Sequence, residues 1–363
     1  MDLKHTDIIE ALNKTKEETG KYQYAKVARA FGTIAQVVEN IHRGQSSHIT
    51  STSNLYDEKG NLKLSWVKTN YKNDELMKNW QEYFETLVNE KVKPIAKIKA
   101  PNINEEERFA FYPLPDLHLG MLVCGEETNH GINYDLKKAE EWINESIDNF
   151  LANTPKTHTA IVCDLGDLLH AGDDSNRTKS GHWLDTDTRH FKIFEMTTRT
   201  FTNLIERLLT HHEKVIFYSV AGNHSEAAPI YLKTFLSGYF KNNPRVEIIM
   251  SNKAQQYYVR GKVILGFTHG HQLKPDRASQ VLVFDNKDSF SQSEYRYFHF
   301  GHWHQNKIIQ NPLCDIEVHK NLPPRDAWAE AMGFRGSIGE MKAIIYDENK
   351  GEVFRYTSKI TNK

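Results

Sequence analysis

Five short motifs in this sequence are built from residue types that bind metal ions, and each follows an apolar stretch. They are Asp116-Leu117-His118, Gly166-Asp167, Gly222-Asn223-His224, His269-Gly270-His271 and Gly301-His302-Trp303-His304. Alternate residues of a strand point to the same side, so His302 and His304 can face one centre. Ligand sites of open α/β sheets gather at the carboxyl ends of strands. The motifs therefore predict a metal site assembled from several strand ends.

The order of the motifs resembles the calcineurin-like metallophosphoesterase superfamily, over residues 108 to 355. The chain is most similar to SbcD-type nucleases and to phage-encoded phosphoesterases that carry an N-terminal helix-turn-helix. The resemblance implies an α/β fold of two packed mixed β-sheets flanked by helices. It also implies two ligand sets, one of Asp116, His118, Asp167 and His304 and the other of Asp167, Asn223, His269 and His302.

Phosphodiester hydrolysis explains why such a site would need two divalent metal ions. The reaction must neutralise a developing anion and generate hydroxide at neutral pH, and a metal pair can do both. A ligand shared by the two ions must be a carboxylate, because neutral imidazole cannot bridge, so Asp167 is the predicted bridging and catalytic residue. Manganese is the expected metal, with iron, zinc, magnesium and nickel as alternatives.

The resemblance also assigns a catalytic role to His224. In the superfamily this histidine stabilises the phosphate and can protonate the leaving oxygen. Family members often place an acidic residue directly after it as a restraint, whereas this chain has Ser225 and then Glu226. Either Glu226 restrains His224 or a group elsewhere in the chain does.

Polar residues outside the motifs carry weaker signals. His170 and Arg189 are the predicted substrate contacts, since an arginine fork matches phosphate oxygens. Ordinary salt bridges in a solvated loop are the alternative. His211 and His212, at the predicted end of a helix, are expected on the surface, where the helix dipole favours a positive charge.

The N-terminal segment 24–43 fits a helix-turn-helix, with Gly32 at the turn. In that motif the second helix enters the major groove of DNA. An ordinary helical hairpin is the alternative. The predicted DNA contacts are Lys26, Arg29, Gln36 and Arg43.

Composition limits the class of protein. Of the 363 residues 39% are hydrophobic and 11% aromatic, which excludes wholesale disorder. No run approaches the roughly 18 apolar residues of a membrane span, and the N-terminus lacks the apolar core of a signal peptide. We expect a cytoplasmic protein without a membrane partner, in the host cytoplasm if phage-encoded, and we keep a homo-oligomer open. The net charge of −1 gives no global sign of nucleic-acid binding.

Periodicity divides the chain into an N-terminal domain with its linker, 1–100, and a phosphoesterase domain, 101–363. The first contains the predicted helix-turn-helix, a polar stretch at 44–54, a hairpin over 55–70 and a helix at 73–90. In the second, strands alternate with helices at 135–152, 188–212 and 227–242. Further strands are predicted at 246–250, 255–260, 262–268, 295–300, 341–347 and 352–357.

Three functions fit these patterns. The first is a metal-dependent nuclease that its N-terminal domain steers to DNA. The second is a phosphatase or a cyclic-nucleotide or other small-molecule phosphodiesterase, although the segment after Gly166-Asp167 lacks the Asp-Arg-Gly sequence of protein phosphatases. The third is a DNA-binding protein without enzymatic activity. The predicted helix-turn-helix favours the nuclease.

Overall fold

The computed structural model describes residues 5–19, 21–30, 48–56, 62–70, 98–103, 105–178, 181, 183–333 and 339–360. The chain divides into two compact units, residues 1–83 and 84–363. Residues 71–97 lie outside the described ranges, so the predicted domain boundary at residue 100 stays a prediction.

The described part of the first unit contains a helix pair and a β-hairpin. Helices α1 (His5–Thr19) and α2 (Tyr24–Ala30) bury Leu12, Val27 and Ala28 in a small cluster. Strands β1 (His48–Tyr56) and β2 (Leu62–Asn70) pair in antiparallel fashion. The strand thus begins inside the stretch predicted as a polar spacer. The second helix of the predicted helix-turn-helix, with Gln36 and Arg43, and the predicted helix at 73–90 lie outside the described residues.

The second unit alternates strands with helices, as the sequence predicts. Its first elements are β3 (Arg108–Leu114), a 3-10 turn (Gly125–Glu127), α3 (Leu136–Asn153), β4 (Thr157–Asp164), α4 (His190–Leu208), β5 (His212–Ser219), α5 (Ala228–Tyr239) and β6 (Val246–Ile248). The remaining ones are β7 (Gln256–Arg260), β8 (Val263–Thr268), α6 (Pro275–Asp285), α7 (Lys287–Gln292), β9 (Tyr295–Phe300), β10 (Lys307–Ile309), β11 (Asp315–Val318), α8 (Ala327–Ala331), β12 (Glu340–Asp347) and β13 (Gly351–Lys359).

These strands form two mixed sheets. The six-stranded sheet has the order β13-β12-β3-β4-β5-β6, with β3 to β6 parallel and β12 antiparallel to both of its neighbours. The five-stranded sheet has the order β10-β11-β9-β8-β7, with β8, β9 and β11 parallel. Parallel neighbours require crossover connections, and α3, α4 and α5 provide them in the first sheet.

Three clusters of buried apolar side chains hold the layers of the second unit together. Phe111 and Ile161 of the first sheet meet Leu265 and Phe267 of the second in a fully buried cluster between the sheets. A larger cluster lies between the six-stranded sheet and helices α3, α4 and α5. A third joins the five-stranded sheet to α6. The predicted fold class, two packed mixed sheets flanked by helices, is confirmed.

The surface position predicted for His211 and His212 is wrong. Both histidines are buried rather than exposed. Strand β5 begins at His212, and the two nitrogens of the His212 ring lie 2.8 Å from the hydroxyl groups of Tyr112 and Thr157, respectively. Over the described ranges, no helix is both long and apolar enough to span a bilayer.

Candidate metal centre

All five motifs begin within three residues of the end of a strand, at β3, β4, β5, β8 and β9. The first three strands are parallel neighbours that end in register, with Leu114 opposite Asp164 and Asp164 opposite Ser219. In the other sheet Thr268 lies opposite Phe300 at the ends of β8 and β9. Parallel strands that end together place the residues after them at one edge. The fold therefore brings the motifs of both sheets to one place.

Backbone pairing continues beyond the strands and fixes the two acidic motifs relative to each other. The amide of Asp116 donates to the carbonyl of Gly166 (3.2 Å), and the amide of His118 donates to that of Asp167 (2.9 Å). Glycines admit close approach here, since a Cβ on Gly222 would lie 2.1 Å from Oδ1 of Asp167. Backbone hydrogen bonds thus fix the two acidic motifs, and a side chain at Gly222 would displace the Asp167 carboxylate.

The backbone is strained at the predicted ligands themselves. Asp116, His118, Asp167, His302 and His304 all have positive φ, between 42° and 71°. Such values are uncommon outside glycine, and each costs on the order of 1–3 kcal/mol unless the surrounding structure imposes it. Concentration of this conformation in one set of side chains indicates a site built to present them.

Asp116, His118 and His304 form the first group of donors. Their ligand atoms lie within 4.8 Å of one another. The two imidazoles face each other through their Nε2 atoms at 3.4 Å, and Nε2 of His304 lies 3.3 Å from Oδ1 of Asp116. The Asp116 carboxylate also accepts the amide hydrogen of His302, at 2.8 and 3.0 Å. Asp116 is fully buried, so its charge is directed at this group.

Asp167, His269 and His302 form the second group, also within 4.8 Å. Nε2 of His269 lies 3.2 Å from Oδ2 of Asp167 and 3.0 Å from Oδ1 of Asn223. Oδ2 of Asp167 is also 4.0 Å from Nε2 of His118, which belongs to the first group. Asp167 therefore lies between the two groups, where a shared carboxylate would stand.

The hydrogen bonds of His269 indicate that the second group can bind a cation. Nδ1 of His269 lies 2.9 Å from the carbonyl of Leu165, which can only accept, so Nδ1 carries a proton. In the neutral ring the lone pair of Nε2 then points at the oxygens of Asp167 and Asn223. Three electron-pair donors converging in a buried space require either a proton or a metal ion between them.

The pKa values show how these donors are charged without a metal ion. Burial lowers the pKa of His302 to about 4 and that of His118 well below its usual value, so both rings are neutral. Burial opposes the charged forms of Asp167 and His269, yet their mutual hydrogen bond and attraction prevail. The hydrogen bond and the attraction between the two side chains lower the pKa of Asp167 and raise that of His269 to about 9. Metal binding at this pair must therefore displace a proton from His269.

These residues fit a pair of divalent cations. The donor set combines carboxylate, amide oxygen and imidazole, which suits manganese, iron or zinc. Six of the seven predicted ligands, Asp116, His118, His304, Asp167, His269 and His302, lie in these two groups. The seventh, Asn223, adjoins the second group through His269.

His224 lies beside the first group, and one of its ring nitrogens is within 4.8 Å of ligand atoms of His118 and His170. Its ring stands 4.7 Å from that of His118, and its backbone amide donates to Oδ1 of Asp167. Nδ1 donates to the carbonyl of His170 at 2.8 Å, which fixes the tautomer and leaves Nε2 for proton transfer. The restraint on His224 includes a backbone carbonyl, a contact that the sequence analysis did not identify.

Of the other predicted contacts, His170 adjoins the first donor group. His170 is only 3% exposed, and its Nδ1 lies 3.4 Å from Nδ1 of His118; burial lowers its pKa to about 3. Arg189 is exposed and precedes the first turn of α4. Lys26 is exposed on α2, which also contains Arg29. Their roles toward substrate and DNA stay predictions.

Asp164 is a buried residue of the site that the sequence analysis missed. It accepts hydrogen bonds from Oγ of Ser219 (2.5 Å) and from the amide of Gly166 (3.0 Å). Burial raises its pKa to about 7. Its hydrogen bonds stabilise the turn that leads to Asp167. The sequence signal that could have identified it is its position as the last residue of an apolar strand.

Comparisons with known proteins were made for the whole chain. No family model matches it, and no curated protein does. Solved structures that match include YfcE, a phosphoesterase from E. coli, at 11% identity over 68% of this chain and 98% of that one, with a TM-score of 0.33. A novel archaeal phosphodiesterase matches at 14% identity over 69% and 99%, with a TM-score of 0.35. Vps29 from Chaetomium thermophilum matches at 11% identity over 69% and 98%, with a TM-score of 0.30.

Identities and TM-scores this low give no basis for transferring an activity from those proteins. The chemistry of the chain therefore rests on its own side chains, two groups of metal-ligand type with buried carboxylates that meet at Asp167.

Proposed function

We propose that the chain is a phosphodiesterase that uses two divalent metal ions, manganese in the first instance, and that its substrate is DNA. The observation that carries the hydrolase proposal is the position of the buried Asp167 carboxylate between two donor groups. A carboxylate has two oxygens to share between cations, and a metal pair suits the attack of water on a phosphodiester.

When bound, the metal pair would supply an activated water and neutralise charge on the phosphate. The protein would hold the ions through the two donor groups, in which His118 and His302 are already neutral. The ligand atoms of each group already lie within 4.8 Å of one another, and ligands placed in advance need little rearrangement on binding. The site is thus organised for this chemistry before substrate arrives.

His224 is the group of the chain that would move a proton. Because Nδ1 is engaged by the carbonyl of His170, proton exchange takes place at Nε2. A protonated ring can donate to the leaving oxygen and then recover its proton from water. The backbone carbonyl orients the ring as a carboxylate would, although it carries no full charge.

The DNA proposal rests on features outside the metal centre. The sequence pattern over 24–43 is typical of a helix-turn-helix. In the segment after His170, the guanidinium of Arg177 stacks on Trp183 at 4.0 Å, and Trp183 is 72% exposed. Exposed indole and guanidinium surfaces are those on which unpaired bases stack. These features favour a nucleic-acid substrate over a small phosphate ester.

Hydrolysis assays on chelator-treated protein test this proposal. We expect bis(p-nitrophenyl) phosphate to be cleaved after manganese is restored and not before, and labelled single- or double-stranded DNA to be cleaved under the same conditions. Cleavage of the chromogenic diester without cleavage of DNA would favour the small-molecule phosphodiesterase. Preference for p-nitrophenyl phosphate would favour a phosphatase, and no metal-dependent turnover on any substrate would contradict the enzyme.

A further inference from the structure

A second cluster of histidine and carboxylate lies outside the metal centre, between the two sheets. His299 on β9, Glu317 on β11 and His319 place their ligand atoms within 4.8 Å of one another, and all three are buried. Nδ1 of His299 lies 3.0 Å from Nε2 of His319. By composition and distance alone, this cluster resembles the two donor groups of the metal centre.

The carboxylate of this cluster is already neutralised by cationic side chains. Arg355 donates to both oxygens of Glu317 (2.6 and 2.8 Å), and Nζ of Lys342 donates to Oε1 (2.8 Å). Burial alone would raise the pKa of Glu317, but the positive groups around it hold that pKa well below its usual range. The cluster is therefore an ion-pair network rather than a third metal site.

Lys342 extends this network to the loop that bears two predicted ligands. Its Nζ also donates to Oδ1 of Asn306 at 2.7 Å, and Nδ2 of Asn306 donates to Oε1 of Glu340 at 3.2 Å. Only 4% of the Lys342 side chain is exposed, so the ammonium group depends on these partners. Asn306 lies two residues after His304, directly before β10.

The two histidines of this loop are held differently. The backbone amide of His302 donates to the buried carboxylate of Asp116. His304 has a positive φ of 51° and a side chain that is 43% exposed. A strained residue near the surface keeps its conformation only if its neighbours impose it. On the C-terminal side of His304, the chain is fixed by the link between Asn306 and Lys342 and by the pairing of β10 with β11.

We propose that Lys342 and Asn306 are positioning residues that hold His304 as a ligand of the metal ion shared with Asp116 and His118. The inference rests on the proposed metal-dependent function. The ion pair with Glu317 holds Lys342 in place, and Lys342 binds the side chain of Asn306. Asn306 in turn fixes the end of the loop that contains His302 and His304. The link acts on one ion of the pair, because His302 has its own tether.

Calorimetric titration of the chelator-treated protein with Mn²⁺ tests the link. Asn306→Ala is the main variant, because Asn306 is exposed and its loss should not unfold the protein. We expect one of the two binding steps to weaken by about 10–100-fold, the usual effect of removing an outer partner of a metal site, and the other to stay unchanged. Lys342→Met should act in the same way, and Gln305→Ala, an exposed neighbour, should bind as the wild type does.

A double variant shows whether the effect passes through His304. If it does, Asn306→Ala should weaken Mn²⁺ binding no further once His304→Ala is present, because coupled positions are not additive. An equal loss in both backgrounds, an equal loss in Gln305→Ala, or wild-type binding by Asn306→Ala would overturn the positioning role. A wild-type chain that binds no Mn²⁺ would instead contradict the proposed function itself.

Discussion

Two buried clusters in the same unit have nearly the same composition and opposite properties. At the strand ends, Asp116 and Asp167 are surrounded by histidines and backbone amides. Between the sheets, Glu317 is surrounded by histidines but also by Arg355 and Lys342. The strand-end carboxylates thus lack permanent cationic partners among the contacts described, whereas Glu317 has two.

Backbone conformation separates the clusters as clearly as charge does. Five of the seven predicted ligands at the strand ends have positive φ, whereas His299 and Glu317 lie in regular strands at paired positions. Backbone strain is concentrated at functional sites, whereas an ion pair with all its partners in place does not require a strained backbone. Histidine and carboxylate at ligand distance are therefore insufficient to identify a metal site. A carboxylate without lysine or arginine partners and an imposed backbone geometry are also needed.

The largest expected effect is that of Asp167→Asn, which attacks the shared carboxylate of the strand-end cluster. An amide bridges two cations poorly, so we expect metal-dependent turnover of bis(p-nitrophenyl) phosphate to fall to background. Asp173→Asn, the same change at an exposed position of the following loop, is the control and should keep its activity. Near-normal turnover by Asp167→Asn would exclude a bridging role.

The next effect is that of His224→Ala, which leaves the donor groups intact. Turnover on DNA should fall by about 10²–10⁴-fold, the span for loss of a general acid, while metal binding persists. The loss should be smaller on a nitrophenyl diester, because its leaving group needs no proton. Equal losses on both substrates would assign His224 to phosphate binding alone.

The inter-sheet cluster should respond in stability rather than in metal count. Glu317→Gln removes the carboxylate that Arg355 and Lys342 share, while Arg355 keeps Glu352 and Lys342 keeps Glu340 at 3.7 Å. The change should lower the free energy of unfolding by about 1–3 kcal/mol at neutral pH. The pKa of Glu317 is lowered in the folded state, so its contribution is fully present above the ordinary glutamate pKa and declines as the pH falls from there toward the folded-state pKa. Urea unfolding at pH 7 and pH 4 should therefore show a smaller difference at the lower pH. A difference independent of pH would contradict the ion-pair assignment.

The smallest effect concerns the first unit. If the segment 24–43 contacts DNA phosphates, Arg43→Ala in the intact chain should weaken duplex binding and reduce its salt slope by about one. Turnover of the chromogenic diester should not change. An unaltered slope would make the segment a packing element and would favour the small-molecule phosphodiesterase.

Much of the site could be predicted from sequence because each motif directly follows an apolar strand. The strand run and the ligand types are both local signals, and parallel pairing then brings the motifs together. The helices at 136–153 and 228–239 were predicted within a few residues for the same reason. The short strands β10 and β11 were missed, since three or four residues carry little periodicity.

The contacts that complete the site could not be predicted, because they depend on tertiary structure. The partner of His224 is a carbonyl of the backbone, which has no sequence signature. Lys342 lies 36 residues from Asn306 along the chain and meets it only through sheet packing. His212 was expected on the surface but is buried beside Tyr112, 100 residues away.

The most direct test of the account is the number of metal ions per chain, measured by elemental analysis after equilibration with manganese. The wild type should bind two ions, Glu317→Gln should still bind two at saturation, and Asp167→Asn should bind fewer. This pattern would place the metal at the strand ends and not between the sheets. Loss of metal from Glu317→Gln with two ions retained by Asp167→Asn would contradict the account, as would a wild-type chain that binds none.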